Sequence, residues 1–166
     1  MNSNQTFSWP VRVYYEDTDA GGVVYHSNYL NFMERARTEW LRALGFEQTN
    51  LRNQLQVLIV IHSMQIVFKK TARFDDLLMV NSQLTALGKS SWHCVQAIIK
   101  DDEVLIEAQV KAAFVNSQTF KPTRIPTAIL NVIQPLVLNP LDLNPVELNT
   151  VELNPSASKP KLLETP

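Results

Sequence analysis

YYEDTDAGGVVYHSNYLNFMERARTEWL, from Tyr14 to Leu41, is the stretch on which the fold turns. Its second half carries apolar residues at three- and four-residue steps: Tyr29, Phe32, Met33, Ala36 and Trp40, continued by Ala43 and Leu44. That spacing gathers them on one face of an α-helix. Ser27 stands where a capping hydroxyl is wanted, and Gly45 stands where a helix stops. The opposite face offers Arg35 with Glu39 and Glu34 with Thr38, pairs four residues apart that suit a solvated or interfacial side. A helix with so apolar a stripe needs a second layer to cover it.

Working outward, Val11 to Tyr15 is short, β-branched and aromatic, a strand running into the polar turn Glu16 to Gly22. Downstream, Val57 to Lys69, Leu77 to Leu87, Ser91 to Lys100 and Val104 to Val115 are rich in β-branched residues and separated by short polar breaks. Asp101-Asp102 and Gly88 to Ser90 are the turns between the last three. The order predicts an α+β fold in which one long helix is wrapped by a curved antiparallel sheet. Beyond Pro126 the composition shifts, and from Leu138 to Ala157 a pentapeptide repeats as LNPLD, LNPVE, LNTVE and LNPSA. The prolines remove backbone donors, so the expectation is one domain over residues 1–135 and a low-complexity, disordered tail over 136–166, dispensable for the chemistry.

A chain of 166 residues with 45% hydrophobic content has room for one ordinary core. A formal net charge of -1 and a pI near 6.3 supply no field that would draw nucleic acid or an anionic membrane surface. The single cysteine, Cys94, cannot form an internal disulfide, and no Cys/His cluster has zinc-site spacing. Met1 to Pro10 lacks the basic start and apolar run of an export signal, and Val57 to Ile61 is too short to cross a bilayer. A cytoplasmic chain without a membrane span is expected.

Reactive side chains are densest between Tyr15 and His26, ahead of the helix. A helix start offers unpaired N–H groups and partial positive charge, able to stabilise the oxyanion of an acyl carbonyl going tetrahedral. The His26 N–H is the candidate donor, and Asp19 the candidate general base toward water or, alternatively, nucleophile. As residue types alone, Asp17 and Asp19 in a turn serve more often as caps, His26 as a helix-start hydrogen-bonding group and Tyr15 as a strand aromatic. His62, His93 and Cys94 fall in predicted strands and are read as structural.

The same Tyr14 to Leu41 stretch closely resembles, without gaps, the signature of the YbgC-type thioesterases, in the 4-hydroxybenzoyl-CoA thioesterase branch of the hot-dog superfamily. Looser similarity continues through KTARFDD, Lys70 to Asp76, then Gly88 to Ser91 and Lys121 to Pro126. The resemblance implies a hot-dog fold, with subunits pairing their sheets into homodimers or homotetramers and sites at the subunit interface. It implies hydrolysis of acyl-CoA thioesters, short-chain or aromatic, with no metal or redox cofactor, coenzyme A being part of the substrate. Carried over by position, the catalytic set is Asp19, His26 and Tyr15. Gly22 keeps the turn clear for the thioester and Asn28 shapes the acyl pocket, while Lys89, Ser90, Ser91, Lys121 and Arg124 are available to CoA. Alternatives on the same fold are a hydratase or dehydratase, an enzyme acting on acyl carrier protein thioesters, or an interaction protein for acyl carrier protein or the Tol-Pal cell-envelope system.

Overall fold

The computed structural model describes residues 6–138. Strand β1 (Thr6–Arg12) leads through a short 3-10 turn to helix α1 (Asn28–Ala43) and then to a second helix, α2 (Gln48–Leu55). Four strands follow, β2 (Val57–Phe68), β3 (Leu77–Leu87), β4 (Ser91–Lys100) and β5 (Glu103–Asn116), and helix α3 (Thr127–Ile133) comes last. The strands form one sheet in the order β1-β3-β4-β5-β2, antiparallel throughout. This is the α+β layout that the sequence pattern predicts and the hot-dog fold that the resemblance implies.

The core follows from period two on the sheet and period 3.6 on the helix. Along β4, Trp92, Cys94, Gln96 and Ile98 are buried and alternate with half-buried neighbours. Against them α1 sets Tyr29, Phe32, Met33, Ala36, Trp40 and Leu41, and Trp40 stacks on Trp92 with ring centroids 6.1 Å apart. Arg37, which the helical spacing left unplaced, is buried on this face too. Its guanidinium donates to Gln96 Oε1 at 2.7 Å, while Gln96 Nε2 donates to Ser82 Oγ at 2.9 Å and to the Met33 carbonyl at 3.1 Å. Burial lowers the Arg37 pKa, opposed by electrostatic interaction with Cys94 and Glu34.

Three local expectations need correction. The first strand lies earlier than Val11 to Tyr15, because Pro10 sits on an edge strand, where its missing N–H is tolerated, and Tyr15 has already turned into the 3-10 segment. Ser27 occupies the position before α1, but its side chain makes no capping hydrogen bond. Glu39 pairs with Arg42 and not with Arg35, whereas Thr38 donates to Glu34 at 2.8 Å as the spacing suggests. The turn residues Asp101 and Asp102 have φ of 47° and 64°, and Gly45 closes α1 at 89°.

The backbone of helix α1 runs closest to β1 and β3, and the helix reaches β4 through the Trp40 and Arg37 side chains and the Met33 carbonyl. The helix-facing side of the opposite edge strand, β2, is therefore covered incompletely: Ile61 and Phe68 are exposed, while Ile59, Met64 and Ile66 are half-buried. At the C-terminal end, Ile129 and Ile133 of α3 are buried, and Leu138 donates its N–H to the Leu84 carbonyl at 2.9 Å. The remainder of the pentapeptide repeat lies outside the described residues. Among the described residues no helix is long and apolar enough to cross a membrane.

Candidate active site

The segment between β1 and α1 folds into a small hairpin whose legs are fastened by backbone hydrogen bonds. Tyr25 N–H donates to Asp17 O at 2.8 Å, Asp19 N–H to Val23 O at 3.0 Å, and Gly22 N–H to Asp19 O at 3.0 Å. The two aspartates divide the work. Asp17 is buried and its Oδ2 accepts the Tyr14 N–H at 2.8 Å, so it holds the turn as a cap. Asp19 is exposed near the tip, its Oδ1 accepting the Gly21 N–H at 2.7 Å. Oδ2 has no protein donor among the described residues, which leaves it open to water or an incoming carbonyl. Gly22 has φ of 73°, a conformation that glycine adopts without strain.

This hairpin is clamped from outside by residues 72–76, which the sequence reading matched by pattern without assigning a task. Val24 N–H donates to Ala72 O at 2.9 Å, Val13 N–H to Asp76 O at 3.0 Å, and Asp75 N–H to Val13 O at 3.0 Å. The Tyr29 hydroxyl accepts the Ala72 N–H at 2.9 Å and so ties the start of α1 to the same segment. Burial raises the Tyr29 pKa, against the Ala72 hydrogen bond, and the nearby Asp76 and Asp19 carboxylates raise it further, so the phenol stays neutral.

His26 closes the hairpin just before α1. Its neighbours Tyr25 and Asn28 spend their N–H groups on Asp17 O and Tyr25 O, whereas the His26 N–H meets no acceptor among the described residues. The His26 ring lies 4.4 Å from that of Tyr25 and 6.4 Å, edge-on, from Phe68. Tyr15 is 78% exposed and stacks on Phe74 at 4.0 Å. Asn28 is half-buried and accepts a 3.3 Å bond from Asn31. Phe68, Phe74 and Tyr29 escaped the sequence reading of the site, since the first two lie in another segment and Tyr29 reads as core.

Asp19, His26, Tyr15, Gly22 and Asn28 thus all lie on one loop and helix start. Ser90, Ser91 and Lys121 do not join them within one chain. The hairpin joins the sheet where Arg12 pairs with Leu77, whereas Ser90 and Ser91 occupy the other end of β3, roughly 30 Å away at about 3.3 Å per strand residue. There they approach the end of β5 and the segment after it: Phe114 N–H donates to Ser90 O at 2.8 Å and Ile125 N–H to Lys89 O at 3.0 Å. Gly88, Lys89, Arg124 and Ile125 line a cleft of about 800 Å³ at that end. Cys94 is buried and desolvation pushes its thiol up to about 11, an inert state at neutral pH. His62 is exposed on the edge strand, within 3.4 Å of Ser63 Oγ, and His93 is half-buried on β4.

The profile of the thioesterase-like superfamily matches residues 13–133, the whole span from this loop to α3. The chain belongs to that superfamily. Among its relatives is the acyl-CoA thioesterase YbgC of Haemophilus influenzae, 44% identical over 123 residues, which are 74% of this chain and 90% of that protein. The acyl-CoA thioester hydrolase YbgC of an Escherichia coli O6:H1 strain is 42% identical over 75% of this chain and 92% of its own. In structure, a probable thioesterase from Bartonella henselae superposes with a TM-score of 0.70 at 35% identity, over 73% of this chain and 99% of that one. The YbgC-type resemblance of the Tyr14 to Leu41 stretch therefore extends over most of this superfamily member.

Proposed function

We propose that this YbgC-type chain hydrolyses acyl-CoA thioesters to the free acid and coenzyme A, with Asp19 as the chemical centre. The observation that carries this reading is the pairing, on one loop, of an exposed carboxylate having one open oxygen with the unspent N–H of His26 at a helix start. Water attacks the thioester carbonyl while Asp19 takes its proton, or Asp19 attacks first and water resolves the anhydride. In both routes the His26 N–H stabilises the oxyanion, the C–S bond breaks, and CoA leaves as thiolate. These groups suffice for hydrolysis, so no metal or redox cofactor is invoked. Tyr15 supports the entrance through its stack on Phe74.

The CoA end follows from sheet geometry. Edge strand β2 runs from Val57, near the Ser90, Ser91 and Lys121 end, to Phe68, near His26. Two copies joined antiparallel through β2 would set one copy's Ser90, Ser91 and Lys121 on the side of the other's Asp19, and basic and hydroxyl groups there can take the CoA phosphates. This gives a homodimer with two sites, able to pair again into a tetramer, acting on CoA thioesters in the cytoplasm.

Thiol release from short-chain and aromatic acyl-CoAs tests the reading, with wild type and Asp19→Asn compared at equal oligomeric state. Loss of about 10²–10⁴-fold in the variant is expected. An Asp19→Asn oligomer with undiminished turnover, or a folded wild type silent on the whole panel, refutes it.

A further inference from the structure

Phe68 ends β2, and its register partner is Ile106, which is fully buried on the helix-facing side of β5. Directly paired residues of an antiparallel ladder point to the same face, so Phe68 also faces the α1 side. It is nevertheless 47% exposed, because the α1 backbone runs nearest the opposite edge of the sheet, along β1 and β3, and leaves this corner uncovered. Two neighbours fix its ring. It stands edge-on to His26 at 6.4 Å and lies tilted by 57° against Tyr29 at 6.0 Å. Tyr29 is itself immobilised by burial and by its bond to the Ala72 N–H. One part of the Phe68 ring is thus held firmly beside the His26 residue whose N–H is free, and the rest is open.

Behind Phe68, on the same side of β2, come Ile66 and Met64 and, past the bulge between Ile61 and Ser63, Ile61. All three are apolar and incompletely covered. Phe68 thus stands between His26 and that strip along β2. The geometry points to Phe68 as the residue that ends the acyl pocket and limits the length of acyl chain accepted. This rests on the thioesterase reading and deepens it. With the ring removed, a chain could run onto Ile66, one two-residue strand step further, about 6.6 Å.

The test is kcat/KM for thiol release from acetyl-, butyryl-, hexanoyl-, octanoyl- and decanoyl-CoA by wild type, Phe68→Ala, Phe68→Leu and Phe68→Trp, with oligomeric state measured for each. The octanoyl-to-butyryl ratio should rise at least about tenfold in Phe68→Ala, rise less in Phe68→Leu, and fall in Phe68→Trp. Ratios unchanged within about twofold across intact variants would overturn the inference. So would a parallel fall on all substrates together with loss of the oligomer, which would mark Phe68 as a packing residue of the β2 seam. If wild type releases no thiol at all, the thioesterase reading fails and this inference falls with it, an outcome distinct from an active enzyme with an unmoved length profile.

Discussion

Replacing Tyr29 by Phe removes one oxygen and leaves everything else about the ring in place, so its cost can be worked from a single bond. The phenol oxygen accepts the Ala72 N–H at 2.9 Å, with Tyr29 2% and Ala72 0% exposed. The ring keeps its edge-to-face contact with Phe32 at 6.2 Å, and the volume lost is too small for a large cavity penalty. What remains is a buried N–H without an acceptor, which costs about 1–3 kcal/mol. Part of this is offset because the hydroxyl no longer has to be desolvated, which puts the net loss at about 1–2 kcal/mol. With a urea m-value of about 1.5 kcal/mol/M the midpoint should fall by roughly 1 M, at unchanged m. Because Ala72 O also accepts the Val24 N–H, thiol release should fall at temperatures where the variant is fully folded. Urea unfolding followed by circular dichroism, paired with single-temperature kinetics, measures both. A stability loss below about 0.5 kcal/mol at unchanged m would refute the assignment of this bond as a clamp.

A Cβ on Gly21 would lie 3.0 Å from Asp19 Oδ1 and displace the carboxylate by a few tenths of an ångström, so Gly21→Ala should keep the fold while kcat/KM falls about tenfold; equal activity would count against Asp19. Burial by itself would raise the Asp76 carboxyl, but the Lys100 hydrogen bond, the Arg73 N–H and the charges of both residues outweigh it and hold it below the ordinary 3.8. The associated stability is present above that ordinary value and is lost as pH falls through the lower folded value. Melting curves of wild type and Asp76→Asn should therefore differ at neutral pH and draw together as pH falls below 3.8, and a constant gap would contradict the linkage. Cys94, buried and with its thiol near 11, should react with a thiol reagent only on unfolding, so prompt stoichiometric labelling of the native protein would argue against its burial.

The elements with a repeating period were legible in the sequence. Asn28–Ala43 and the strands from Val57 onward carry periods of 3.6 and two over ten or more residues, and their bounds lie within about two residues of those expected. Helix α2 was missed because of its eight residues only Leu51 is buried, which leaves almost no apolar period to detect. Strand β1 was displaced because Pro10 reads as a breaker, and only knowledge of strand order reveals that it lies on an edge. At the site, the loop residues could be found because they are contiguous. Phe68, Ala72 and Asp76 reach it across the sheet, through contacts that no local pattern encodes, and the distance separating Asp19 from Ser90 and Lys121 follows from the direction of β3 and β5.

The clamp around the Asp17 to Tyr25 hairpin also bears on the order in which the protein assembles. Tyr29 and Ala72 are 43 residues apart in the chain, and the β1 register with β3 joins residues further apart still, from Arg12 with Leu77 to Thr6 with Gln83, so the loop cannot take its final shape until those lengths have closed. Helix α1 needs only local contacts and forms on a far shorter timescale. In refolding from denaturant, ellipticity from α1 should return first, and catalytic competence should lag until β3 has docked.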